Sequence, residues 1–239
     1  MELKLQGSRA LVTGGTGGIG WAIAEAFAAE GIDVAVADTR SPSSPAGPIR
    51  FVRMDVVDRA AVLGGFDAAE ATFGGPVDIL VNGAGIYPCD PILEMTEAAW
   101  DRVLDTNVKG MFLTSQEFCR RLVAAGRPGC IVNITSGSAE RARLGAAHYC
   151  ASKAAAEMLT RCFALEFAHA GIRVNAVSPG IIRTPEHPPE SYAGLGAQLP
   201  PLGLVGQVSD IVDGVLFLES SPFITGEVLH IDGGQIAGH

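Results

Sequence analysis

Residues 130–153, CIVNITSGSAERARLGAAHYCASK, decide the fold of this chain, because they predict a strand, a loop and a helix in direct succession. The apolar residues 130–134 predict a buried strand, and the Thr, Ser and Gly residues at 135–138 predict a loop where that strand ends. Tyr149 and Lys153 follow at the start of an alanine-rich stretch that predicts a helix. Because they are four residues apart, they share one face of that helix, about 6 Å apart along its axis.

The polar side chains of this segment indicate acid–base chemistry. A lysine ammonium beside a phenol favours the phenolate, so we expect Lys153 to lower the pKa of Tyr149 from its usual value near ~10. A tyrosine tuned in this way is a general acid or base near neutral pH. Ser136 lies at the predicted carboxyl end of the strand, where α/β enzymes place groups that face a ligand. A Tyr–Lys pair alone is more often an ordinary helix face, and the rest of the chain decides between the two interpretations.

The composition is that of a globular protein. The chain has 239 residues, of which 48% are hydrophobic and 18% charged, which suffices for a sizeable core and excludes a disordered chain. Its net charge of −9 argues against nucleic-acid binding through a basic surface. No apolar run is long enough to span a membrane, and the N-terminus has no signal-peptide pattern. Five scattered cysteines without a C-x-x-C pair fit reduced thiols, so we expect a cytoplasmic protein.

Predicted strands and helices alternate along the whole chain. Besides the strand at 130–134, the predicted strands lie at 10–13, 33–37, 49–54, 78–81, 172–177 and 227–231. This alternation predicts an α/β fold, a doubly wound parallel sheet (Rossmann fold) of about seven strands with helices on both faces. No linker or repeat interrupts the pattern, so residues 1–239 are predicted to form a single domain. Residues 183–203 are rich in Pro and Gly and predict a mobile flap.

A glycine-rich turn joins the first predicted strand to the first predicted helix. It reads TGGTGGIG at residues 13–20. Glycines there allow a tight turn and let the backbone approach a pyrophosphate, while the helix N-terminus offers free N–H groups. The turn is therefore a candidate phosphate-binding loop, and a tight turn without a ligand is the alternative. The absence of G-K-[ST] argues against a P-loop nucleotidase.

Asp38, at the end of the second predicted strand, indicates which dinucleotide would bind. It lies 18 residues after Gly20, near the spacing expected for an acid that binds the adenosine ribose. A carboxylate there accepts hydrogen bonds from the ribose hydroxyls and repels a 2′-phosphate. We therefore expect NAD(H) in preference to NADP(H). Arg40 could meet a 2′-phosphate and is the one feature that speaks for NADP(H).

These motifs, in this order and spacing, resemble the short-chain dehydrogenase/reductase family in its compact single-domain form. The resemblance covers nearly the whole chain. It is carried by TGGTGGIG at 13–20, Asp38, Asp55-Val56, NGAG at 82–85, Asn107 in NVKG, Ser136, YCASK at 149–153, SPGIIRT at 178–184 and ITGEVLHIDGG near the C-terminus.

The resemblance implies a role for each matching position, in a single NAD(P)-binding Rossmann domain. The implied catalytic residues are Ser136, Tyr149, Lys153 and Asn107, the last supporting a water that connects Lys153 to solvent. The implied cofactor residues are Gly14, Gly18, Ile19 and Gly20 at the phosphates, Asp38 at the adenosine ribose, Asp55 and Val56 at the adenine, Asn82, Ala84, Gly85, Tyr149 and Lys153 near the riboses, and Pro179, Gly180, Ile182 and Thr184 at the carboxamide end.

The chain departs from the family pattern in three places. NGAG has Gly83 where NNAG is commoner, the connection from Asp38 to Ile49 is short, and the flap at 183–203 is short and Pro-rich. The last departure leaves substrate recognition open. Residues that could meet a substrate are Tyr87, Ser138, Glu140, Arg141, Leu144, Ile181, His187 and Tyr192. No metal site is predicted, because no spacing typical of ligands occurs and His187 is expected to be an exposed flap residue.

The sequence therefore predicts an NAD-dependent oxidoreductase that transfers hydride between a nicotinamide and a secondary alcohol or ketone, with Tyr149 as general acid/base. Alternatives are a cofactor-binding scaffold or regulatory protein without turnover, a 3-oxoacyl thioester reductase if NADP is used, and a lyase or epimerase that uses bound NAD transiently. The predicted helix from 149 carries surplus apolar residues (Met158, Phe163 and Phe167), which suggest a partner helix. The resemblance implies a homotetramer or homodimer. No nucleic-acid or membrane partner is expected.

Overall fold

The computed structural model describes residues 6–42, 47–185, 192 and 199–237. Seven strands form one sheet in the order β3-β2-β1-β4-β5-β6-β9, and all neighbours are parallel. This confirms the predicted doubly wound parallel sheet. The strands of the sheet are β1 (Arg9–Thr13), β2 (Asp33–Asp38), β3 (Arg50–Arg53), β4 (Ile79–Asn82), β5 (Gly129–Ile134), β6 (Ile172–Pro179) and β9 (Val228–Ile231). Two short strands, β7 (Ile182–Arg183) and β8 (Gly206–Gln207), pair with each other outside this sheet.

Helices cover both faces of the sheet. They are α1 (Gly18–Ala29), α2 (Arg59–Phe73), α3 (Glu97–Leu104), α4 (Gly110–Ala125), α5 (Ala147–Phe167) and α6 (Val208–Ser220). Helices α1 and α6 pack on one face through Phe27 and Leu218, and α2, α4 and α5 pack on the other through Phe66, Phe118 and Phe163. The strands are almost continuously apolar because both of their faces are buried. None of the helices in the described part of the chain is long and apolar enough to cross a membrane.

The chain crosses the middle of the sheet between β1 and β4. Strands β2 and β3 lie on one side of β1, while β4, β5, β6 and β9 follow on the other. In open α/β sheets, ligands bind outside the carboxyl ends of the strands where the strand order reverses in this way. The predicted site residues follow β1, β2, β4, β5 and β6 and therefore share one edge of the sheet.

The predicted helix over 97–125 is present, but it is interrupted. A π-helical turn, Asp105–Lys109, separates α3 from α4 and contains the buried Asn107. A π-turn places one extra residue in the helix and commonly occurs at functional sites. The interruption is a local change of backbone hydrogen bonding, which the apolar pattern of the sequence does not reveal.

The prediction that Phe163 faces a partner helix is wrong, because Phe163 is 8% exposed and belongs to the core on the α4/α5 face of the sheet. Its ring stacks on that of Phe167 at 5.8 Å between centroids. Phe167 is partly buried and packs against the same core. Met158, by contrast, is 57% exposed, and Leu165 on the same helix is 86% exposed. The second apolar face of α5 is therefore narrower than the sequence suggests. Most of the predicted flap, including His187, lies outside the described residues.

Candidate active site

The glycine-rich turn between β1 and α1 packs directly against the end of β4. Gly14 has a φ of +63°, and a Cβ placed on it would lie 2.7 Å from the backbone of Ala84. A Cβ on Gly20 would collide with the carbonyl oxygen of Gly14. Only glycine fits at these two positions, because any side chain there would overlap neighbouring backbone atoms. This leaves the space in front of α1 open to a ligand.

The N-terminus of α1 is suited to bind an anion. The N-cap residue is Gly17, and no described side chain caps the helix. The first backbone N–H groups of a helix lack intrahelical partners, and the helix dipole favours negative charge there. Gly18 and Ile19 carry two of these groups. The predicted phosphate-binding residues Gly14, Gly18, Ile19 and Gly20 thus lie at a helix N-terminus, which is a type of site that binds anions.

Asp38 is held in a fixed orientation at the end of β2. Its Oδ2 accepts a hydrogen bond from the Thr16 hydroxyl at 2.7 Å, and its Oδ1 accepts one from the backbone N–H of Arg40 at 3.2 Å. The carboxylate is therefore tied to the phosphate-binding turn. Arg40 contacts Asp38 through its backbone N–H. Arg40 is itself an exposed residue.

Two of the predicted cofactor residues use their side chains elsewhere. The Asn82 side chain donates to Ser115 Oγ at 2.9 Å and to Asn133 Oδ1 at 2.8 Å, and is 5% exposed. Val56 packs in the core, where a Cβ on Gly110 would lie 2.6 Å from it. These two residues can meet a cofactor only through their backbone. Asp55, next to Val56, accepts a hydrogen bond from the N–H of Val57 at 3.1 Å.

The remaining predicted cofactor residues border the same edge of the sheet. A Cβ on Gly85 would lie 3.7 Å from Lys153 Nζ. The N–H of Gly180, which follows Pro179 at the end of β6, donates to the carbonyl of Ile231 at 3.0 Å. The Tyr192 hydroxyl is bonded to the backbone of residues 182–184. It donates to the carbonyl of Ile182 and accepts from the N–H of Thr184, both at 3.2 Å.

Ser136 and Tyr149 meet beyond the end of β5. Ser136 Oγ accepts a hydrogen bond from the N–H of Ser138 at 3.1 Å and so caps the short 3-10 turn Gly137–Ala139. Tyr149 lies in the first turn of α5, and its hydroxyl interacts with the Ser136 side chain. The Tyr87 ring contacts that of Tyr149 edge-on, at 6.4 Å between centroids. The predicted serine and tyrosine are thus brought together although thirteen residues separate them.

The pKa of Tyr149 is raised above its usual value, against the expectation that it is lowered. Burial raises the pKa of Tyr149, and the hydrogen bond with Ser136 and the charge of Arg143 offset this only in part. Burial also lowers the pKa of Lys153 to about 8. Lys153 Nζ donates to the carbonyl of Ile134 at 2.8 Å and lies 5.7 Å from the centroid of the Tyr149 ring. Desolvation of both side chains therefore outweighs the attraction between the ammonium and the phenolate.

Asn107 connects the π-turn to the loop after β4 and to helix α5. Its Oδ1 accepts from the N–H of Ile86 at 2.8 Å, and its Nδ2 donates to the carbonyl of Ile86 at 2.9 Å and to Ser152 Oγ at 3.0 Å. Ser152 in turn donates to the carbonyl of Tyr149 at 2.7 Å. A Cβ on Gly85 would lie 3.3 Å from Asn107 Oδ1, so Asn107 and Lys153 approach the same glycine.

Comparison with known proteins identifies the chain. The family model described as enoyl-(acyl carrier protein) reductase matches residues 14–235. The crystal structure of a short-chain type dehydrogenase/reductase from Mycobacterium marinum superimposes with a TM-score of 0.91 at 38% identity, over 98% of this chain and 97% of that one. The chain belongs to the short-chain dehydrogenase/reductase family. The resemblance read from the motifs is thereby confirmed.

Two curated relatives define the class of reaction. L-xylulose reductase from Bos taurus is 36% identical over 252 residues, covering 99% of this chain and 100% of its own length. Gluconate 5-dehydrogenase from Gluconobacter oxydans is 36% identical over 246 residues, covering 97% and 95%. This short-chain dehydrogenase/reductase is accordingly an oxidoreductase that acts on CH–OH groups and transfers hydride with a nicotinamide cofactor.

The short-chain dehydrogenase also contains a contact that sequence reasoning missed. His148 Nδ1 accepts a hydrogen bond from the N–H of Tyr149 at 2.8 Å, so the proton of a neutral His148 must be on Nε2, which lies 3.2 Å from Asp90 Oδ2. The His148 side chain is fully buried. This pair fixes the start of α5 to the loop after β4. Asp90 lies 58 residues away along the chain, and no local pattern marks it.

Proposed function

We propose that this enzyme is an NAD-dependent oxidoreductase that interconverts a secondary alcohol and a ketone, with Tyr149 as general acid/base. The observation that supports it best is the meeting of Tyr149, Ser136 and Lys153 at one edge of the sheet, beside the phosphate-binding turn. A scaffold that only bound a dinucleotide would need the turn and Asp38, but it would have no need of this group.

The residues present fit a dinucleotide. The phosphates would lie on the N-terminus of α1, the adenosine ribose against Asp38, and the nicotinamide ribose against Lys153. Asp55 and the backbone of Val56 would border the adenine, while Asn82, Ala84 and Gly85 would pass beside the cofactor with their backbone. The segment from Pro179 and Gly180 to Ile182 and Thr184 would hold the carboxamide. When bound, the nicotinamide ring supplies the site that accepts or donates hydride.

In the oxidation direction, Tyr149 removes the proton of the substrate hydroxyl as the carbon–hydrogen bond breaks. Ser136 donates a hydrogen bond to the same oxygen and stabilises its developing charge. The Ser136 hydroxyl also lowers the pKa of Tyr149. Lys153, whose Nζ lies 5.7 Å from the centre of the Tyr149 ring, would place a positive charge near the tyrosinate. Asn107 would support a water through which Lys153 exchanges protons with solvent. In the reduction direction, Tyr149 donates the proton to the oxygen.

Ser136 and Ser138 can be distinguished by the pH dependence of oxidation. We expect kcat/KM for alcohol oxidation to rise with pH as Tyr149 loses its proton. Ser136→Ala removes the hydrogen bond that lowers the Tyr149 pKa, so the profile should shift upward by about one pH unit and kcat/KM should fall by roughly 10²-fold. Ser138→Ala is the matched control and should leave the profile in place. A shift caused by Ser138→Ala alone would reverse the two assignments.

The proposed preference for NAD rests on Asp38. A 2′-phosphate about 5 Å from this carboxylate would cost ~3 kcal/mol per pair of unit charges at an effective dielectric constant of ~20, before solvent screening. We expect NADH to bind at least about 10-fold more tightly than NADPH, as measured by quenching of protein fluorescence. Asp38→Ser should remove most of this difference. Asp33→Ser, at the opposite, exposed end of β2, is the control. Tighter binding of NADPH by the wild type would refute the preference.

The names of the relatives indicate the substrates to test first. They are a sugar reductase and a sugar-acid dehydrogenase, so we propose a small polyhydroxy alcohol, ketose or keto acid. The test is NADH formation by the purified enzyme with a panel of polyols, sugars, hydroxy acids and simple secondary alcohols. Turnover with a member of this panel supports the proposal. NADH binding without any turnover would instead favour the non-catalytic alternative.

The name of another relative favours one further candidate. (3R)-3-hydroxyacyl-CoA dehydrogenase from Mus musculus is 36% identical over 253 residues, and oxidation of a 3-hydroxyacyl thioester gives a 3-oxoacyl thioester. The second candidate is therefore a 3-oxoacyl thioester reductase, if NADPH is used. Consumption of NADPH with a 3-oxoacyl thioester, and not with sugars, would favour this candidate. A lyase or epimerase would convert its substrate without net change in the absorbance of free nicotinamide.

We also propose that the enzyme is a homo-oligomer, a tetramer or a dimer, in the cytoplasm. Support for an interface comes from Met158 and Leu165, which are 57% and 86% exposed on α5. Light scattering coupled to gel filtration measures the molar mass. Support for a reducing compartment comes from the five cysteines, all of which are free.

A further inference from the structure

Three side chains from distant parts of the sequence meet next to β6, outside the proposed catalytic group. Glu140 follows the 3-10 turn that Ser136 caps, Glu157 lies on α5, and His230 lies on β9. One ligand atom of each, two carboxylate oxygens and one imidazole nitrogen, lies within 4.8 Å of the other two. Glu140 and His230 already touch, with 3.1 Å between Oε1 and Nε2. The turn that follows Ser136, helix α5 and strand β9 therefore converge at this point.

Glu157 is the buried member of the group, and it is not satisfied. Its side chain is 5% exposed, and Oε1 has no hydrogen-bond partner among the described residues. The other oxygen, Oε2, lies 3.8 Å from Arg161 Nη2, a long contact to a half-exposed side chain. A buried carboxylate oxygen without a partner is costly. Burial and the nearby carboxylate of Glu140 raise the pKa of Glu157, while His230, Arg161 and the Thr135 hydroxyl offset part of this rise.

A second unsatisfied atom lies in the neighbouring strand. Ser178 on β6 is the register partner of His230 on β9, so their side chains are on the same face of the sheet. The Ser178 side chain is fully buried, and its Oγ likewise lacks a partner in the described part of the chain. An ordered water or an ion is one partner that such a buried polar atom can take in a folded protein.

We propose that Glu140, Glu157 and His230 bind one divalent transition-metal ion, with Zn²⁺ as the preferred ion. Imidazole nitrogen together with carboxylate oxygen is a donor set that suits Zn²⁺ and Co²⁺ better than Mg²⁺, which prefers oxygen ligands and water. The ion supplies the positive charge that two adjacent carboxylates lack, and Glu157 Oε1 gains a partner.

The geometry requires only a small closure. Ligand atoms around a tetrahedral Zn²⁺ lie roughly 3.4 Å apart, as follows from bonds of about 2.0–2.1 Å. Glu140 Oε1 and His230 Nε2 are at 3.1 Å, and the exposed Glu140 is free to approach the buried Glu157 further. Three protein ligands leave at least one coordination position for water. The ion would tie β9 and the turn after Ser136 to the catalytic helix, so its role is to stabilise this edge of the site.

The first test is isothermal titration of the metal-stripped enzyme with ZnCl₂. We expect one Zn²⁺ per chain, and we expect the thermal unfolding temperature to rise when Zn²⁺ is added. Loss of a metal-supporting contact outside the ligand set already lowers affinity by ~10–100-fold, so Glu157→Gln and His230→Gln should each weaken binding by about 100-fold or more. Both variants should also lose the thermal shift. Circular dichroism checks that they are folded.

The controls are Glu166→Gln and His169→Gln, which remove an exposed carboxylate and an exposed imidazole near the end of α5. They should bind Zn²⁺ as the wild type does. Cys89 and Cys162 are exposed thiols that could also take up Zn²⁺, so the titrations are repeated with both changed to Ser. The absorption spectrum of the Co²⁺ form should show ligand-field bands without thiolate charge transfer. Absence of binding, binding that survives Glu157→Gln, or thiolate bands in the Co²⁺ spectrum would each overturn the proposal.

Discussion

Tyr149→Phe is expected to abolish turnover while leaving NADH binding intact. The substitution removes one hydroxyl, and with it the group that exchanges a proton with the substrate oxygen. General acid–base catalysis by a positioned side chain is worth ~10²–10⁴-fold, so we expect kcat to fall by roughly 10³-fold or more. The aromatic ring of residue 149 keeps its edge-on contact with Tyr87, so the packing around it should not change. The measurement is steady-state kcat with the best substrate, together with the Kd for NADH.

The matched control for this prediction is Tyr87→Phe. Tyr87 is the other tyrosine of the pair, and it is 61% exposed. It should retain kcat within a few-fold, although KM for the substrate can change because its ring borders the same space. If Tyr149→Phe kept a tenth or more of the wild-type kcat, Tyr149 would not be the general acid/base, and the mechanism above would be wrong.

Lys153→Met is expected to lower activity strongly and to make the protein more stable. Burial lowers the pKa of Lys153 from 10.5 to about 8, which corresponds to ~3 kcal/mol of unfavourable free energy for the ammonium. Loss of the hydrogen bond to the carbonyl of Ile134 costs about 1 kcal/mol. The free energy of unfolding at pH 7 should therefore rise by about 2 kcal/mol. The kcat/KM for oxidation should fall by at least ~10²-fold, because an electrostatic contact to the tyrosinate is lost.

The pH dependence of this stability difference has a defined sign. A lysine with a lowered pKa in the folded state destabilises it most below about pH 8, where it is still charged. The advantage of Lys153→Met should shrink as the pH rises from about 8 towards 10.5. Denaturant titrations at several pH values measure it. Lys109→Met is the control, because Lys109 is half-exposed and forms an ion pair with the half-exposed Asp105 one turn away. A loss of stability in Lys153→Met would show that the lysine is structural.

The parts of the site that the sequence predicts are those with a local signal. The glycine turn and the Tyr–Lys pair depend on spacing within one turn or one helix. Asp38 depends on its distance from the glycine turn within one strand–helix–strand unit. The parallel sheet could likewise be predicted from the continuous apolar runs, because a strand buried on both faces cannot alternate with polar residues. In both cases the sequence contains the information within about twenty residues.

The features that could not be predicted depend on which side chains the fold buries together. The raised pKa of Tyr149 follows from the degree of burial, and the inward orientation of Asn82 follows from its contact with Ser115 and Asn133. The pairing of His148 with Asp90 joins residues 58 positions apart. The sequence alone offers no measure of such burial or of such distant contacts.

The order of the strands also determines how the chain assembles during synthesis. The first four strands pair only with one another until β5 is made, since β1 contacts β2 and β4, and β2 contacts β3. Strands β5, β6 and β9 then add one after another at the β4 edge. The half of the sheet that carries the phosphate-binding turn can therefore form on the ribosome first. The catalytic half must wait for the last strand, which pairs with β6 across 48 residues of intervening chain, and such long-range parallel pairing is slow.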